Sequence, residues 1–494
     1  ANDYAGGTDI TNGTVAVATD GALGTGNIRF SGLGGTLETL GSFTTAKDVT
    51  LDAAGVINTN ANTNRFDGLV SGASTLTKIG SGTLILTGAN TYSGGTFLTE
   101  GTIQISNGSA MGSGTLTAAG GTTLIAGLAI NTPPMTLAQD IVLTGGGNLT
   151  INLLGNAYGV NVTTGALSTN GTALTLNGTI SGDGGIDTLG FLAGGGGSIA
   201  FNSTNSYAGG TNLGSVIATI GADGALGTGA VNLNAFGAGI QNTGAGTSFT
   251  LGNAINVNDT QHSLGGAGNL VLSGAIGGNG ELFKVNSGTV TFTGVGSTFG
   301  GAFAVNGGTA EINGSFDNGA ATMVVAGGST LSGNGSFAGS VTLGNGGFLS
   351  AGANGGVGVL TLGNLSLSGL SELSFQLGAA NTLGGSLNDR VIVNGNLVLD
   401  GLLNVTETVG GAFTLGIYNL FSYGTLTNNG LAVNGGLPNG LTGSVQINSA
   451  ANQVNLVVAG PDSIVLNWDG SDFTAAVPGG QGGNGVWNAT NTNW

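Results

Sequence analysis

The chain of 494 residues contains no cysteine, five prolines, one histidine and only six lysines and arginines. Each scarcity removes a class of explanation. Without cysteine there is no disulfide framework and no thiol chemistry. Six basic residues against 23 acidic ones give a net charge of −17. That balance excludes a nucleic-acid partner, whose phosphates need clustered Lys and Arg, and it disfavours anionic lipid surfaces. Charged residues are 6% of the chain, against about 25% in an ordinary soluble protein, so the exterior must be built of Thr, Ser, Asn and Gly. Long apolar runs are missing too. Residues 141–182 carry no charge, yet Asn, Thr, Ser and Gly break the stretch every few positions, which excludes a membrane span in this segment. A block of aromatic-girdled strands of about ten residues, as in a translocator barrel, is also missing. So is any sustained helical stripe with caps.

Glycine is what the chain has in excess, 104 residues, about three times ordinary usage. No Gly-X-Y period exists, so collagen is excluded. A 40% hydrophobic content and a mean hydropathy of +0.32 exclude disorder. The glycines recur in register with other residues. Asn-x-Tyr-x-Gly-Gly-Thr occurs with Tyr4, Gly6 and Gly7, with Tyr92, Gly94 and Gly95, and with Tyr207, Gly209 and Gly210. A worn copy carries Phe299, Gly300, Gly301 and Ala302. A second landmark of the form Ala-(Leu/Met)-Gly-x-Gly follows, and Tyr4 to Leu23, Tyr92 to Met111 and Tyr207 to Leu226 are each 19 residues. The tyrosines themselves lie 88 and then 115 residues apart. A constant short spacing inside a variable long one predicts a stack of small coils, with unmarked coils or loops between the marked ones.

Between the landmarks the chain reads as short strands separated by turns. Gly82-Thr83-Leu84-Ile85-Leu86-Thr87-Gly88 and Gly288-Thr289-Val290-Thr291-Phe292-Thr293-Gly294 alternate apolar with small polar residues and are bounded by glycine. Stacked by repetition, such strands bury an apolar column that no single coil can bury alone. Gly and Asn supply left-handed corners. The expected fold is all-β, an elongated β-solenoid.

Residues 76–96, from Leu76-Thr77-Lys78-Ile79-Gly80-Ser81-Gly82 to Tyr92-Ser93-Gly94-Gly95-Thr96, resemble the autotransporter-associated β-strand repeat, the passenger-associated transport repeat of bacterial surface proteins. The Leu-x-Lys element returns at Leu282-Phe283-Lys284 and departs to Ile186-Asp187-Thr188 in the Tyr207 copy. Leu349-Ser350-Ala351-Gly352, Asn388-Asp389-Arg390-Val391 and Gly416-Ile417-Tyr418 resemble the stretch near the end of passenger β-helices. The resemblance implies a right-handed parallel β-helix displayed at the cell surface or outside a Gram-negative-type bacterium, with an outer-membrane translocator lying outside this segment.

The expected organisation is a β-helix over residues 1–460, with marked copies near 2–30, 76–118, 186–233 and 282–314. Residues 461–494, which hold all three tryptophans, read as a boundary and the start of a further repeat cassette. The opening at Ala1-Asn2-Asp3-Tyr4 falls inside a repeat, so the sequence is expected to be a window on a longer protein.

Candidate chemistry is sparse. His262, the lone histidine, has no Ser/Asp partners assignable by sequence and reads as a solvent-exposed loop residue. Lys78 and Lys284 occupy equivalent repeat positions and read as stems covering a coil. Asp389-Arg390 reads as a turn cap with a surface ion pair. Gly182-Asp183-Gly184-Gly185-Ile186-Asp187 resembles one calcium-binding nonapeptide, but no tandem copy adjoins it to share an ion. Gly194-Gly195-Gly196-Gly197 has no Gly-Lys-Ser/Thr context for phosphate. The repeat tyrosines could form an exposed ladder for glycans, but large rings favour the interior. No catalytic residue, cofactor or metal site is therefore expected. The residues singled out are the repeat markers Tyr4, Gly6, Gly7, Tyr92, Gly94, Gly95, Tyr207, Gly209, Gly210 and Phe299.

Three function classes follow. The first is a structural or adhesive surface module, a stiff rod for display, adhesion, self-association or glycan contact. The second is a glycan-degrading β-helix, which would need clustered charge. The third is a threonine-array binder of ice or another regular polymer, which would need a strict short period that the 88- and 115-residue spacings speak against. The first is the expectation, and no enzyme activity is expected.

Overall fold

The computed structural model describes residues 1–128, 135–153, 173–189 and 197–460. The chain divides into two units, Ala1–Gly288 and Thr289–Trp494. Residues 461–494, read above as a fresh cassette, lie outside the described residues, as do most of the glycines at 194–197.

The first unit is a parallel β-solenoid. Its strands are two to five residues long, and each pairs in parallel with the equivalent strand one coil away. The coil length is read from one register line. Thr63, Thr83, Thr102 and Thr123 are successive partners, giving steps of 20, 19 and 21 residues. One sheet runs through eleven strands, from Thr44–Thr45 by way of Thr83–Leu86 to Ile276–Gly278. An eight-stranded sheet runs from Thr14–Val17 to Ile180–Gly182 and a four-stranded one from Thr8–Ile10 to Val70–Gly72. Alternation along each strand decides what is buried. In Thr83–Leu86, Leu84 and Leu86 point inward while Thr83 and Ile85 face out. The inward position stacks as Phe66, Leu86, Ile105, Ala126 and Leu153 on consecutive coils, all buried. Each such aliphatic side chain contributes about 2 kcal/mol of transfer free energy, and only stacking makes it available.

The second unit begins in the same style and then broadens. Thr289–Phe292, Thr309–Ile312 and Thr330–Gly333 stack in parallel with four residues each. Later rungs lengthen to ten residues in Arg390–Leu399, eleven in Leu402–Ala412 and thirteen in Gly416–Asn428. Phenylalanines fill the wider interior. Phe292 meets Phe303 and Phe316 edge-on, with ring centroids 5.6 and 5.5 Å away. The stack ends in a change of direction, because Gln453–Ala459 pairs antiparallel with Gly416–Asn428 and with Thr442–Asn448. A reversed strand there covers the N–H and C=O groups of the last long rung.

Candidate functional site: repeat locks and outer faces

The repeat markers meet across one coil. Tyr92 and Thr96 point inward, and the phenol and threonine hydroxyls lie 2.5 Å apart. The Thr96 hydroxyl then donates to the Met111 carbonyl on the next coil at 3.2 Å. Tyr207, Thr211 and Leu226 repeat the arrangement at 2.6 and 3.3 Å, and Tyr4, Thr8 and Leu23 at 2.7 and 3.1 Å. The motif asparagine adds a second stitch: Asn90 accepts from the Val70 N–H and donates to the Ala110 carbonyl, as Asn205 does with Ile180 and Ala225. The 19-residue spacing is therefore the distance from one side of this lock to the other. Tyr92 and Tyr207 are fully buried, which pushes their phenols well above the usual range, with the threonine bond opposing. Tyr4 is 41% exposed.

The second landmark's glycines are explained by the ring they face. Gly24, Gly112 and Gly227 sit at φ of +70, +68 and +69°, and a Cβ there would strike the tyrosine of the preceding coil. Gly7, Gly95 and Gly210 also hold positive φ, at +82, +93 and +88°. Gly94 and Gly209 press against the backbone of the coil behind them, whereas Gly6 meets nothing. In the worn copy Phe299 is buried, and the position four residues on, where the other copies carry threonine, is Phe303, also buried. Both hydroxyls are exchanged together for an apolar pair, so no buried polar group is left without its partner.

The two repeat lysines are inside the solenoid, not on it. Lys78 and Lys284 are fully buried. Each ammonium donates to the next two carbonyls, Lys78 to Ile79 and Gly80 at 3.0 and 2.6 Å and Lys284 to Val285 and Asn286 at 3.0 and 2.8 Å. Lys78 also reaches the Glu100 carbonyl at 3.1 Å. The third residue of each trio, Gly80 or Asn286, has positive φ, +81 or +61°, which marks the corner whose carbonyl the ammonium reaches. Burial lowers both amines to about 8, for Lys78 against the opposing charge of Glu100. The sequence expectation of a covering stem fails because the left-handed corner supplies an interior acceptor set that an ordinary lysine lacks. In the Tyr207 copy the same position is Thr188, whose shorter side chain donates to the Asn212 carbonyl.

Two other expectations are corrected. His262 is not an exposed loop residue: it opens the strand His262–Gly265, is fully buried, and accepts the Asp259 N–H at 3.3 Å through Nε2. Burial lowers its imidazole below the usual value. No hydroxyl or carboxylate side chain bonds to it among the described residues, and its ring closes a turn. Asp389 and Arg390 form no ion pair among the described residues. Asp389 is buried and accepts the Gly358 and Gln376 N–H groups at 2.8 and 2.7 Å, while Arg390 turns to the Ser422 hydroxyl. Burial raises the Asp389 carboxyl to about 6 against those two bonds. Asp187, from the calcium-like stretch, is a rung in an amide ladder, where one carboxylate oxygen accepts Asn148 at 2.7 Å and Asn212 at 2.6 Å. The ladder continues from Asn232 to Asn212 and from Asn256 to Asn232, both at 2.7 Å. No group of three or more His, Cys, Asp or Glu poised for a metal exists among the described residues.

The other three bases of the first unit are ion-paired. Arg29 lies between Asp9 and Asp52, its pKa raised chiefly by the hydrogen bond to Asp52. Lys47 pairs with Asp20 at 2.6 Å and Arg65 with Asp67 at 2.7 Å. With Lys78 and Lys284 buried, no unpaired lysine or arginine side chain projects freely from the described first unit.

One outer feature escaped the sequence reading. Thr63, Thr83, Thr102, Thr123 and Thr150 lie in direct register on consecutive strands and face outward. The line continues through Asp187, Asn212, Asn232 and Asn256. A coil-length period of about 20 residues would have found it. The tyrosine motifs, 88 and 115 residues apart, do not mark its register.

Fold and locks together define a parallel β-solenoid whose coils are stitched by one repeated motif. The passenger-associated transport repeat family matches residues 1–17, 76–105 and 282–309. A 135-residue stretch, 27% of this chain, is 41% identical to the Adhesin BmaC autotransporter of Brucella suis biovar 1 (strain 1330) and covers 4% of that protein. The chain thus carries passenger-associated transport repeats and is similar over one stretch to an autotransporter adhesin, which marks it as a cell-surface or extracellular protein of a Gram-negative bacterium. No helix among the described residues is long and apolar enough to cross a membrane.

Proposed function

We propose that this chain is an adhesive scaffold segment of a larger surface protein, a stiff stack of coils that holds neutral polar faces out for contact. What carries this reading is where the repeat's own residues go. Tyr92, Thr96, Asn90 and Lys78 are all spent on joining a coil to its neighbours, so the repeated signal maintains architecture and leaves the outer faces free to vary. The adhesin relative supports the same reading. The translocator and further cassettes, the first beginning within residues 461–494, belong to the parent protein in this proposal. Surface glycans and further copies of the chain are the contacts it would make.

Catalysis has no support in the site. Among the described residues the one carboxyl with a markedly raised pKa, Asp389, has both oxygens engaged by backbone N–H groups, and a general acid needs a free path to its substrate. The test is display of the chain on a non-adherent Gram-negative host, with attachment to polysaccharide-coated and cell surfaces measured. Attachment above that of an empty display scaffold is expected. Normal display without any gain would overturn the adhesive reading. Turnover of pectin, alginate or peptidoglycan fragments, lost on Asp389→Asn, would overturn the non-enzymatic one.

A further inference from the structure

We infer that the threonine row of the eleven-stranded sheet is a docking face for a neutral, extended β-1,4-linked polysaccharide. The inference rests on the adhesive reading and names the partner of one face.

Five threonines, Thr63, Thr83, Thr102, Thr123 and Thr150, occupy one register line without interruption. Adjacent strands lie about 4.8 Å apart, so the row presents a hydroxyl at each step over roughly 19 Å. Other threonine hydroxyls are spent internally: Thr39 donates to Asn64, Thr87 to Asp67 and Thr188 to Asn212. Those of the row have no partner among the described residues, and all five are half-buried or exposed. The arrangement is not a general property of the solenoid. On the eight-stranded sheet the corresponding outward line reads Thr36, Val56, Thr77, Phe97, Thr117, Val142.

The neighbouring outward positions fix the chemistry. Beside the row, two residues further along each strand, stand Arg65, Ile85, Gln104, Ile125 and Asn152; Arg65 is held by Asp67, and the four strands from Thr83–Leu86 to Leu149–Leu153 contain no ionisable group. A row of hydroxyls flanked by aliphatic and amide groups suits a ligand with hydroxyls along its edges and C–H bonds on its faces. A β-1,4-linked hexose chain is such a ribbon, and its repeat is commensurate with the strand spacing to within a small misfit. The surroundings exclude the charged alternatives. Nearby bases are ion-paired or buried, so a polyanion gains nothing here. Asp187 spends one carboxylate oxygen on two asparagine amides, which leaves it a weak anchor for a polycation.

The experiment uses the full chain and measures its retention on microcrystalline cellulose and on chitin, with amylose and alginate as comparisons. Retention on cellulose or chitin is expected, with little on amylose, whose chain coils, or on alginate, which is anionic. The combined variant Thr83→Val, Thr102→Val and Thr123→Val keeps shape and β-propensity and removes only hydroxyls. It should bind at least about tenfold more weakly, the loss of one or two net hydrogen bonds. Thr36→Val, Thr77→Val and Thr117→Val, combined on the other sheet, should bind as the parent does. Circular dichroism of both variants checks that folding is preserved. The proposal is overturned if the parent chain is not retained on cellulose or chitin, if the row variant binds unchanged, or if the control variant loses binding equally. Ice-growth inhibition abolished by the row variant, without polysaccharide retention, would likewise overturn it and assign the row to water. The display assay reads attachment independently, so adhesion by another face remains visible when this face fails.

Discussion

At the scale of single residues, the chain treats each buried polar group as half of a pair. The Tyr92 phenol and Thr96 hydroxyl satisfy one another, and the worn copy drops both at once in Phe299 and Phe303. That pattern predicts coupling. Tyr92→Phe should cost about 1 kcal/mol, a typical net hydrogen bond, because Thr96 retains the Met111 carbonyl. Thr96→Val should cost more, about 1–3 kcal/mol, because it leaves a buried phenol unpaired. The double variant should fall clearly short of the sum. A double-mutant cycle by hydrogen exchange of the Tyr92 coil checks this, and strict additivity would refute the pairing.

The lysines carry a pH dependence whose sign can be worked out. Lys78 and Lys284 titrate near 8 in the fold and near 10.4 when unfolded. Between those values the unfolded chain holds more protons, so stability rises with pH. Below 8 both states are charged and the burial cost is fully present. Above about 10 the trend reverses, because Tyr92 and Tyr207 resist the ionisation open to them in the unfolded chain. Asp389 acts at the acid end: its folded pKa of about 6 exceeds the unfolded value, so its share of stability grows as pH falls from 6 towards 4. Denaturation midpoints across pH 7–10 should therefore rise, and Lys78→Met with Lys284→Met should flatten that rise. An unchanged slope in the double variant would show that the ammoniums are not the source.

At the scale of elements, the sequence revealed the kind of strand but not which residues stack from one coil to the next. Leu84 and Leu86 against Thr83 and Ile85 are legible as alternation, and the Tyr-to-Leu spacing is legible as a repeat. The register of one coil on the next was hidden because most coils carry no tyrosine lock, as between Leu116–Ala119 and Ile141–Thr144. The buried lysines were illegible for a different reason: a side chain usually exposed becomes internal only when Gly80 or Asn286 turns a corner, and φ is not written in composition. His262 was misread likewise, since its surroundings come from strands distant in sequence. The locks also predict which glycines resist change. Gly112→Ala must hold an alanine at φ +68° with its Cβ against the Tyr92 carbonyl, and should cost well over 1 kcal/mol. Gly121→Ala has a similar φ of +80° but no neighbour within 4 Å, so it isolates the backbone term. Equal destabilisation of the two would remove the steric part of the argument.

At the scale of the whole chain, the placement of six basic residues governs how the protein meets a protease. Trypsin needs several residues in extended, unpaired form around the cut, so it samples local opening. Arg29 lies in a strand bonded to Thr8–Ile10 on one side and Val49–Leu51 on the other. Arg65, Lys78 and Arg390 are likewise held between two neighbouring strands. Lys284 lies within Glu281–Val285, with its side chain buried. Opening any of these coils breaks ladders to its neighbours, a cost that the solenoid multiplies. Lys47 alone sits in a turn, between Thr44–Thr45 and Val49–Leu51, held by its contact with Asp20. Native digestion should therefore begin after Lys47 and pause there, leaving one large fragment from Asp48 onward. Asp20→Asn, which weakens the hold on Lys47, should speed that first cut without exposing the others. A first cut after Lys78 or Lys284, mapped by mass spectrometry at early times, would contradict the buried corner lysines on which the repeat's architecture depends.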